Sequence, residues 1–312
     1  MKSLKIANLN LKSPLILAPM LDVTDLPFRL LCRKAGASLA YTEMFHIEQI
    51  LHKNPKTQNK LETNNQDKPV GLQLTGNTDL QFKSISKLPI IKKYELIDIN
   101  CGCPSTRIRG NQAGSYLLTS PDKIASFIKI LKQNTSKPVT TKIRLGFKTN
   151  NAIKISKIIE KAGADAITVH ARLAAQSYKY PAQWQELKKI KKQIGIPIIA
   201  NGDIFTGSDC AKVLDFCAGA MIGRTAIGNP LAFKSMLYYL KTGKEKTFSD
   251  KEKINQFKDY IKIIKETKTI NMSNIKYTSP YFFKGFEGAS NFREKLSKLK
   301  TFNEFEEFAK SL

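Results

Sequence analysis

The chain alternates short apolar runs with segments of helical periodicity. Eight runs rich in β-branched residues recur, and most are almost wholly apolar rather than alternating. Strands of a parallel sheet have this composition, because helices cover both faces of the sheet. The predicted strands cover residues 14–19, 39–44, 70–74, 96–101, 139–145, 166–172, 196–201 and 219–224.

Helix-start signals occur where crossover helices are needed. Thr24, Ser120 and Asn150 or Asn151 each stand just before a predicted helix, and Pro121 would take a first helical position. No GxGxxG sequence marks a doubly wound dinucleotide fold. Eight strand–helix units therefore predict an α/β fold, a (β/α)₈ TIM barrel that occupies residues 1–241.

The strand pattern stops after Pro230, and residues 242–312 are predicted to form a small C-terminal helical domain. Apolar residues in this segment recur at helical spacing. They are Ile254, Phe257, Ile261 and Ile264, and then Phe302, Phe305 and Phe308.

Length and composition limit the classes of protein to which this chain can belong. A chain of 312 residues that is 42% hydrophobic can build a barrel and a second small domain. The sequence has no signal-peptide pattern and no apolar stretch of membrane-spanning length, so we expect a cytoplasmic protein with no membrane contact. Its five cysteines are scattered and odd in number, which favours a reducing compartment and gives no complete zinc-ligand set. We expect no metal.

The charge is strongly positive, with 51 Lys+Arg against 26 Asp+Glu and a formal net charge of +25. The electric field of such a charge attracts polyanions, and nucleic acid is the leading candidate partner. A Lys- and Asn-rich composition can also follow from genome base composition. The charge therefore supports an RNA partner without establishing one.

Hydrogen-bonding or charged residues follow most of the predicted strands. In a barrel of this kind the carboxyl ends of the strands surround the active site. A single Asn or Gln at such a place often caps a loop, but a whole ring of polar groups is costly to bury without a polar ligand. The last two units also place Gly202, Gly223 and Arg224 where barrels bind phosphate.

Short motifs in chain order resemble the tRNA-dihydrouridine synthase family over nearly the whole barrel. The most specific are the opening APM with TDLPFR and the GCP loop. The motifs are APMLDVTDLPFR at 18–29, TEM at 42–44, LQL at 72–74, DINCGCPS at 98–105, KIRLG at 142–146, VHAR at 169–172, NGDI at 201–204 and IGRTAIGNP at 222–230.

This resemblance implies FMN in the barrel mouth, NADPH as its reductant, and reduction of uridine in tRNA to dihydrouridine. The implied FMN contacts are Pro19, Met20, Leu21, Gln73, Lys142, His170, Asn201, Gly202, Asp203, Gly223 and Arg224. The implied tRNA contacts are Asn100, Arg107, Arg144, Arg172, Lys276, Lys284 and Arg293.

Cys103 matches the catalytic cysteine of the family, whereas Cys101 is expected to be structural. Reduction of the uracil ring needs a hydride at carbon 6 and a proton at carbon 5, and a protonated thiol is a suitable acid at neutral pH. The long connection over residues 101–120 is predicted to be a lid that orders Cys103 over a flipped uridine.

The chain departs from the family pattern in two places. The family reads close to HxRTRxQxYxGxAxW where this chain reads HARLAAQSYKYPAQW, with Leu173 and Ala174 for Thr and Arg and Tyr180 for Gly. Thr278 stands where the family often has His. These departures bear on the expected tRNA contacts.

Two other functions remain open on the sequence. One is an FMN-dependent dehydrogenase of free pyrimidines, which would gain little from a charge of +25. The other is a non-catalytic RNA-binding factor, which the intact Cys103, Lys142 and His170 disfavour. The sequence encodes neither the position of the target uridine nor the oligomeric state, although a monomer is the simpler expectation.

Overall fold

The protein is described by a computed structural model that covers residues 3–312, and a closed barrel of eight parallel strands lies at its centre. A two-stranded antiparallel hairpin precedes the barrel. The strands are β1 (Leu4–Ile6), β2 (Leu9–Leu11), β3 (Leu15–Leu17), β4 (Leu39–His46), β5 (Val70–Thr75), β6 (Leu96–Cys101), β7 (Val139–Arg144), β8 (Ala166–His170), β9 (Ile198–Asn201) and β10 (Gly219–Ile222).

Helices follow the barrel strands and continue after the last one. Those among or directly after the strands are α1 (Leu26–Lys34), α2 (Ile47–Leu51), α3 (Pro55–Lys60), α4 (Asp79–Ser86), α5 (Thr106–Gly110), α6 (Pro121–Asn134), α7 (Ala152–Lys161), α8 (Trp184–Lys191), α9 (Gly207–Leu214) and α10 (Leu231–Thr242). The remaining helices are α11 (Asp250–Thr267), α12 (Met272–Thr278), α13 (Ala289–Lys298) and α14 (Phe302–Ser311).

The predicted barrel is confirmed, since β3 to β10 pair in chain order and β10 closes on β3. Each of the eight barrel strands, β3 to β10, overlaps one predicted apolar run. The start of α1 was predicted one residue too early. Its N-cap is Asp25, whose carboxylate accepts from Phe28 N at 3.0 Å, while Thr24 bonds the backbone of Met20 instead. Ser120 and Asn151 hold the N-cap positions of α6 and α7.

The β1–β2 hairpin closes the amino end of the barrel, and the sequence analysis missed it. Leu4, Ile6 and Leu11 are buried together with Ile16 and Tyr41 of the barrel strands. The signal was present in the sequence, because LKI and LNL each place a polar residue between two apolar ones. The strands are so short that the pattern carries little weight alone.

The segment from α11 to α14 is helical, as predicted, and its apolar stripe is buried except at Ile254 and Phe308, which are half-buried. Phe257 packs edge-on against Phe282, Phe283 and Phe308, with ring centroids 5.2–5.9 Å apart. On the barrel side, α11 lies against α1, where Tyr260 packs edge-on to Phe28. The helical segment therefore shares its core with the first helix of the barrel.

Two further observations apply to residues 3–312 only. No helix among them is long and apolar enough to cross a membrane. No cluster of three or more His, Cys, Asp or Glu side chains within that range could hold a metal ion.

Candidate active site

A cavity of about 360 Å³ opens at the carboxyl ends of the barrel strands. Its volume falls within the range of roughly 300–1,000 Å³ that is typical of small-molecule sites. All of the residues expected to contact FMN line this cavity: Pro19, Met20, Leu21, Gln73, Lys142, His170, Asn201, Gly202, Asp203, Gly223 and Arg224. Cys103, Asn100, Arg107 and Arg144 line it too. The barrel thus brings residues from all eight strand–loop units to one place.

Lys142 on β7 supplies a cation to the cavity. Its Nζ donates to Asn201 Oδ1 at 3.0 Å, and Asn201 Nδ2 donates in turn to the Met221 carbonyl at 2.8 Å. Burial, together with the neighbouring Arg144 guanidinium, lowers the pKa of Lys142 to about 8. The ammonium is therefore the major form at neutral pH, and its proton is more easily lost than that of a surface lysine.

His170 at the end of β8 is a neutral imidazole. Burial depresses its pKa far below the usual range, and the surrounding cations, first Lys142 and then Arg144, add to the effect. Arg172 Nη1 lies 3.1 Å from His170 Nε2, which accepts because the ring is neutral. Gly202 has φ +105°, and a Cβ there would lie 2.8 Å from His170 Cδ2. Glycine at 202 therefore lets the β9 loop pass directly over the imidazole.

Arg172 does not have the exposure that its expected tRNA contact requires. Its side chain is 1% exposed and forms an ion pair with Asp203. Its Nε donates to the Tyr180 carbonyl at 2.6 Å. The guanidinium thus contacts the β8–α8 loop and His170, and a direct contact of Arg172 with tRNA stays a prediction that this burial does not favour.

Arg224 lies at the rim of the cavity, where its side chain is 42% exposed. Its Nη2 donates to Asp203 Oδ1 at 2.9 Å, and its guanidinium carbon lies 3.9 Å from the centre of the Tyr178 ring. Asp203 therefore orients both Arg172 and Arg224. A rim guanidinium that keeps free N–H groups can form paired hydrogen bonds with a phosphate.

The backbone of Cys103 is held from both sides. Asn100 Oδ1 accepts from Cys103 N at 3.0 Å, and Ser115 N donates to the Cys103 carbonyl at 3.0 Å. Gly114 has φ +61°, and a Cβ there would lie 2.9 Å from the Cys103 oxygen. These contacts hold the backbone of Cys103 within the protein, and the ordering of its loop over a bound uridine stays a prediction.

Cys103 differs from the other four cysteines in exposure. It is partly exposed at the cavity, whereas the other four are buried: Cys32, Cys101, Cys210 and Cys217. Burial raises the pKa of Cys101 well above its ordinary value, which keeps that thiol protonated and unreactive. The accessible thiol is thus the one that the motif singles out.

The other expected tRNA contacts fall into two groups. Arg107 on α5 is exposed beside the cavity, whereas Arg144 is 3% exposed and donates through Nε to the Gly102 carbonyl at 2.8 Å. Asn100 is likewise engaged with the protein backbone. The second group, Lys276, Lys284 and Arg293, is exposed on the C-terminal helices and does not line the cavity.

A network beneath the β3–α1 loop was missed by sequence reasoning. Glu43 Oε1 accepts from Asn274 Nδ2 at 2.9 Å, while its Oε2 accepts from Lys60 Nζ and from Asp22 N. Thr278 is buried, and its hydroxyl donates to the Asp22 carbonyl at 3.5 Å. The network joins the β3–α1 loop to α12. The one signal of it in the sequence was the TEM motif, which contains Glu43.

Comparison with known structures identifies the architecture. 2-Naphthoyl-CoA reductase superposes with a TM-score of 0.58 at 13% identity, over 76% of this chain and 52% of that chain. The 6-hydroxypseudooxynicotine amine oxidase of Pseudomonas geniculata gives 0.56 at 11% identity, over 77% and 49%. The chain spans about half of each of these proteins, and the likeness concerns the fold alone.

Sequence comparison identifies the family. The tRNA-dihydrouridine synthase B of Vibrio cholerae is 35% identical over 244 residues, which cover 77% of this chain and 76% of that protein. A probable tRNA-dihydrouridine synthase of Rickettsia prowazekii is 35% identical over 248 residues, which cover 78% and 76%. A profile of the dihydrouridine synthase (Dus) family matches residues 16–311. The chain therefore belongs to the dihydrouridine synthase family.

Proposed function

We propose that this protein is a tRNA-dihydrouridine synthase that reduces the 5,6 double bond of uridines in tRNA, with FMN reduced by NADPH as the electron carrier. One observation carries the proposal. The accessible thiol of Cys103 opens onto the same cavity as Lys142, His170 and Arg224. An acid and a set of groups suited to an anionic cofactor thus face one space.

The residues present fit FMN. Arg224 at the rim suits its phosphate, and Gln73, Lys142 and Asn201 in the interior suit the heteroatoms of its ring. When bound, FMN would accept electrons from NADPH and supply a hydride to the uracil ring. The site needs no dinucleotide fold for this, because the nicotinamide only has to stack briefly at the open mouth of the cavity.

Lys142 and His170 have distinct tasks in this proposal. The Lys142 ammonium stabilises negative charge in the cavity, and because it is desolvated its effect is stronger than that of a surface lysine. His170 stays uncharged and offers a hydrogen bond without adding a further cation. Arg172 and Asp203 hold the imidazole and the rim guanidinium in place.

Cys103 acts as the proton donor. As a hydride adds to carbon 6 of the uracil, the Cys103 thiol gives its proton to carbon 5 and is left as a thiolate, which regains a proton from solvent. The base gains two hydrogens and its ring double bond becomes single. The contacts from Asn100 and Ser115 position the thiol for this step.

The tRNA would be gripped by residues 242–312, acting as the RNA-binding domain, and by the barrel rim. Lys276, Lys284 and Arg293 are exposed there and can contact phosphates. Tyr178 is 56% exposed at the cavity mouth, where it can stack on a base. The target uridine must leave the RNA stack to reach the cavity.

The test is incubation of the FMN-loaded protein with NADPH and unmodified tRNA, followed by an assay for dihydrouridine in the RNA. Dihydrouridine in the tRNA, with no consumption of free uracil or orotate, is the expected result. Reduction of a free pyrimidine with no change in tRNA would support the alternative dehydrogenase. A protein that binds tRNA but not FMN would contradict the proposal.

A further inference from the structure

We propose that Asp98, a buried residue outside the cavity, is a positioning residue that sets the orientation of two amide side chains and thereby holds the Cys103 loop. The inference rests on the proposed function only in assigning a purpose to Cys103. The arrangement itself is a continuous chain of hydrogen bonds from the centre of the barrel to the thiol-bearing loop.

The chain of hydrogen bonds crosses three neighbouring strands. Thr140 Oγ1 on β7 donates to Asp98 Oδ1 at 2.6 Å, and Gln73 Nε2 on β5 donates to Asp98 Oδ2 at 2.8 Å. Asn100 Nδ2 then donates to Gln73 Oε1 at 2.8 Å. Finally, Asn100 Oδ1 accepts from the backbone N–H groups of Gly102 and Cys103, at 3.2 and 3.0 Å.

The partners at the two ends of this series of hydrogen bonds require the same orientation of the amide groups between them. A carboxylate can only accept, so Asp98 requires the NH₂ group of Gln73 to face it. The Gln73 oxygen must then face Asn100, which presents its own NH₂ group and keeps its oxygen for the backbone N–H groups. If Gln73 were reversed, its NH₂ group would face the NH₂ group of Asn100. Asp98 therefore fixes the amide that Asn100 relies on.

Burial makes the arrangement costly to disturb. Asp98 and Gln73 are each 1% exposed, so neither can exchange a lost partner for bulk water. Burial raises the pKa of Asp98 to about 6, although the hydrogen bonds from Thr140 and Gln73 and the charge of Lys142 favour the ionised form. A carboxylate in such a place needs its hydrogen bonds, and Gln73 and Thr140 supply them.

These hydrogen bonds also determine which polar group of Gln73 remains free to bond a ligand in the cavity. One N–H of its amide is used by Asp98, and its oxygen is used by Asn100. The remaining N–H is a donor, which matches an acceptor atom of a bound ligand rather than a donor. Asp98 thus acts on the cavity without lining it.

The test measures alkylation of Cys103 by iodoacetamide, mapped by mass spectrometry, in the folded protein without FMN or RNA. Asp98→Leu keeps the size of the side chain but cannot accept, and we expect alkylation of Cys103 to become about fivefold faster, as the loss of one net hydrogen bond implies. Asp98→Asn keeps an acceptor oxygen and should stay near the wild-type rate. Thr141→Val is the matched control, because Thr141 is buried on β7 with its hydroxyl unpaired.

A double variant separates positioning from general loosening. In an Asn100→Ala background the loop has already lost its acceptor, so adding Asp98→Leu should give no further increase in alkylation. Should Asp98→Leu fail to fold, Gln73→Leu breaks the same chain one step nearer the loop and should give the same increase.

Two results would overturn the inference. One is a wild-type alkylation rate in Asp98→Leu or in its substitute Gln73→Leu. The other is equal acceleration in Asp98→Asn and Asp98→Leu, since that would mean that the charge matters and the acceptor does not. Because the assay uses neither cofactor nor RNA, its failure is distinguishable from failure of the proposed function.

Discussion

The two ends of the barrel are built in opposite ways, since one is closed and the other is open. At the amino ends of the strands the β1–β2 hairpin inserts Leu4, Ile6 and Leu11 against an apolar interior. At the carboxyl ends the strands finish in Gln73, Lys142 and other polar groups that surround an open cavity. The same eight strands therefore carry an apolar plug at one end and hydrogen-bonding groups at the other.

The amino end of the barrel therefore contributes mainly to stability, whereas the carboxyl end provides the groups that can bind a ligand. Apolar burial at the amino end stabilises the barrel and makes no demand on ligand chemistry. The carboxyl end carries desolvated charges that lower stability when left without partners, and the chain offsets this by internal hydrogen bonds such as Lys142 to Asn201. Substitutions at the amino end should therefore lower stability, whereas substitutions at the carboxyl end should lower activity or cofactor binding.

The largest effect is expected at the carboxyl end, from Cys103→Ala. Loss of the proton donor should lower the rate of dihydrouridine formation by about 10²- to 10⁴-fold, while reduction of the flavin by NADPH continues. Single-turnover assays with tRNA measure the first quantity and stopped-flow absorbance the second. Cys101→Ala, two residues away and buried, is the control and should keep its activity. An unchanged rate in Cys103→Ala would remove the thiol from the mechanism.

At the amino end, Ile6→Ala should affect stability instead. Ile6 is fully buried in the plug, and truncating such a side chain costs about 2–5 kcal/mol of unfolding free energy. Urea denaturation measures this loss, and activity per folded molecule should stay at the wild-type level. A selective loss of activity with unchanged stability would show that the two ends are coupled.

Arg224→Ala tests whether the guanidinium at the cavity rim binds the phosphate of FMN. Removal of a guanidinium that bonds a phosphate should weaken FMN binding by about ten- to a hundredfold, the factor expected for hydrogen bonds to a charged group. Fluorescence titration of FMN measures the affinity. Riboflavin, which lacks the phosphate, is the matched ligand and should bind both proteins equally. Equal weakening for FMN and riboflavin would place the phosphate elsewhere.

The smallest effect is a pH dependence from Lys142. Its pKa is lowered to about 8, so the ammonium is present below this value and is lost as the pH rises through it. The rate of flavin reduction by NADPH should therefore fall as the pH rises through 8, and at the pKa itself it should be about half of its value at lower pH. Lys142→Arg keeps its charge and should remove this decline. A flat wild-type profile up to pH 10 would exclude the proposed role of the ammonium.

The sequence was sufficient to predict the barrel and the residues of its mouth. All eight strands could be predicted because a strand buried on both faces is marked by composition alone. Some cavity residues, such as Gln73 and Asn201, followed from their position at strand ends, whereas the full set of expected FMN contacts came from the family resemblance. These features depend on local order along the chain, which a single sequence displays.

What the sequence could not reveal depends on partners that are distant along the chain. Arg172 is buried by its ion pair with Asp203, and no local pattern marks that pair. Glu43 meets Asn274 only because α12 folds back over the β3–α1 loop. Asp98 is a polar residue within an apolar strand, and its hydrogen bonds across three strands appear only in the folded barrel.

The most direct test of the central claim is the anaerobic mixing of protein whose FMN has been reduced by one equivalent of NADPH with unmodified tRNA. We predict that the flavin absorbance returns and that one dihydrouridine forms in tRNA for each flavin reoxidised. A flavin that stays reduced in the presence of the tRNA, yet is reoxidised by a free pyrimidine, would contradict the account.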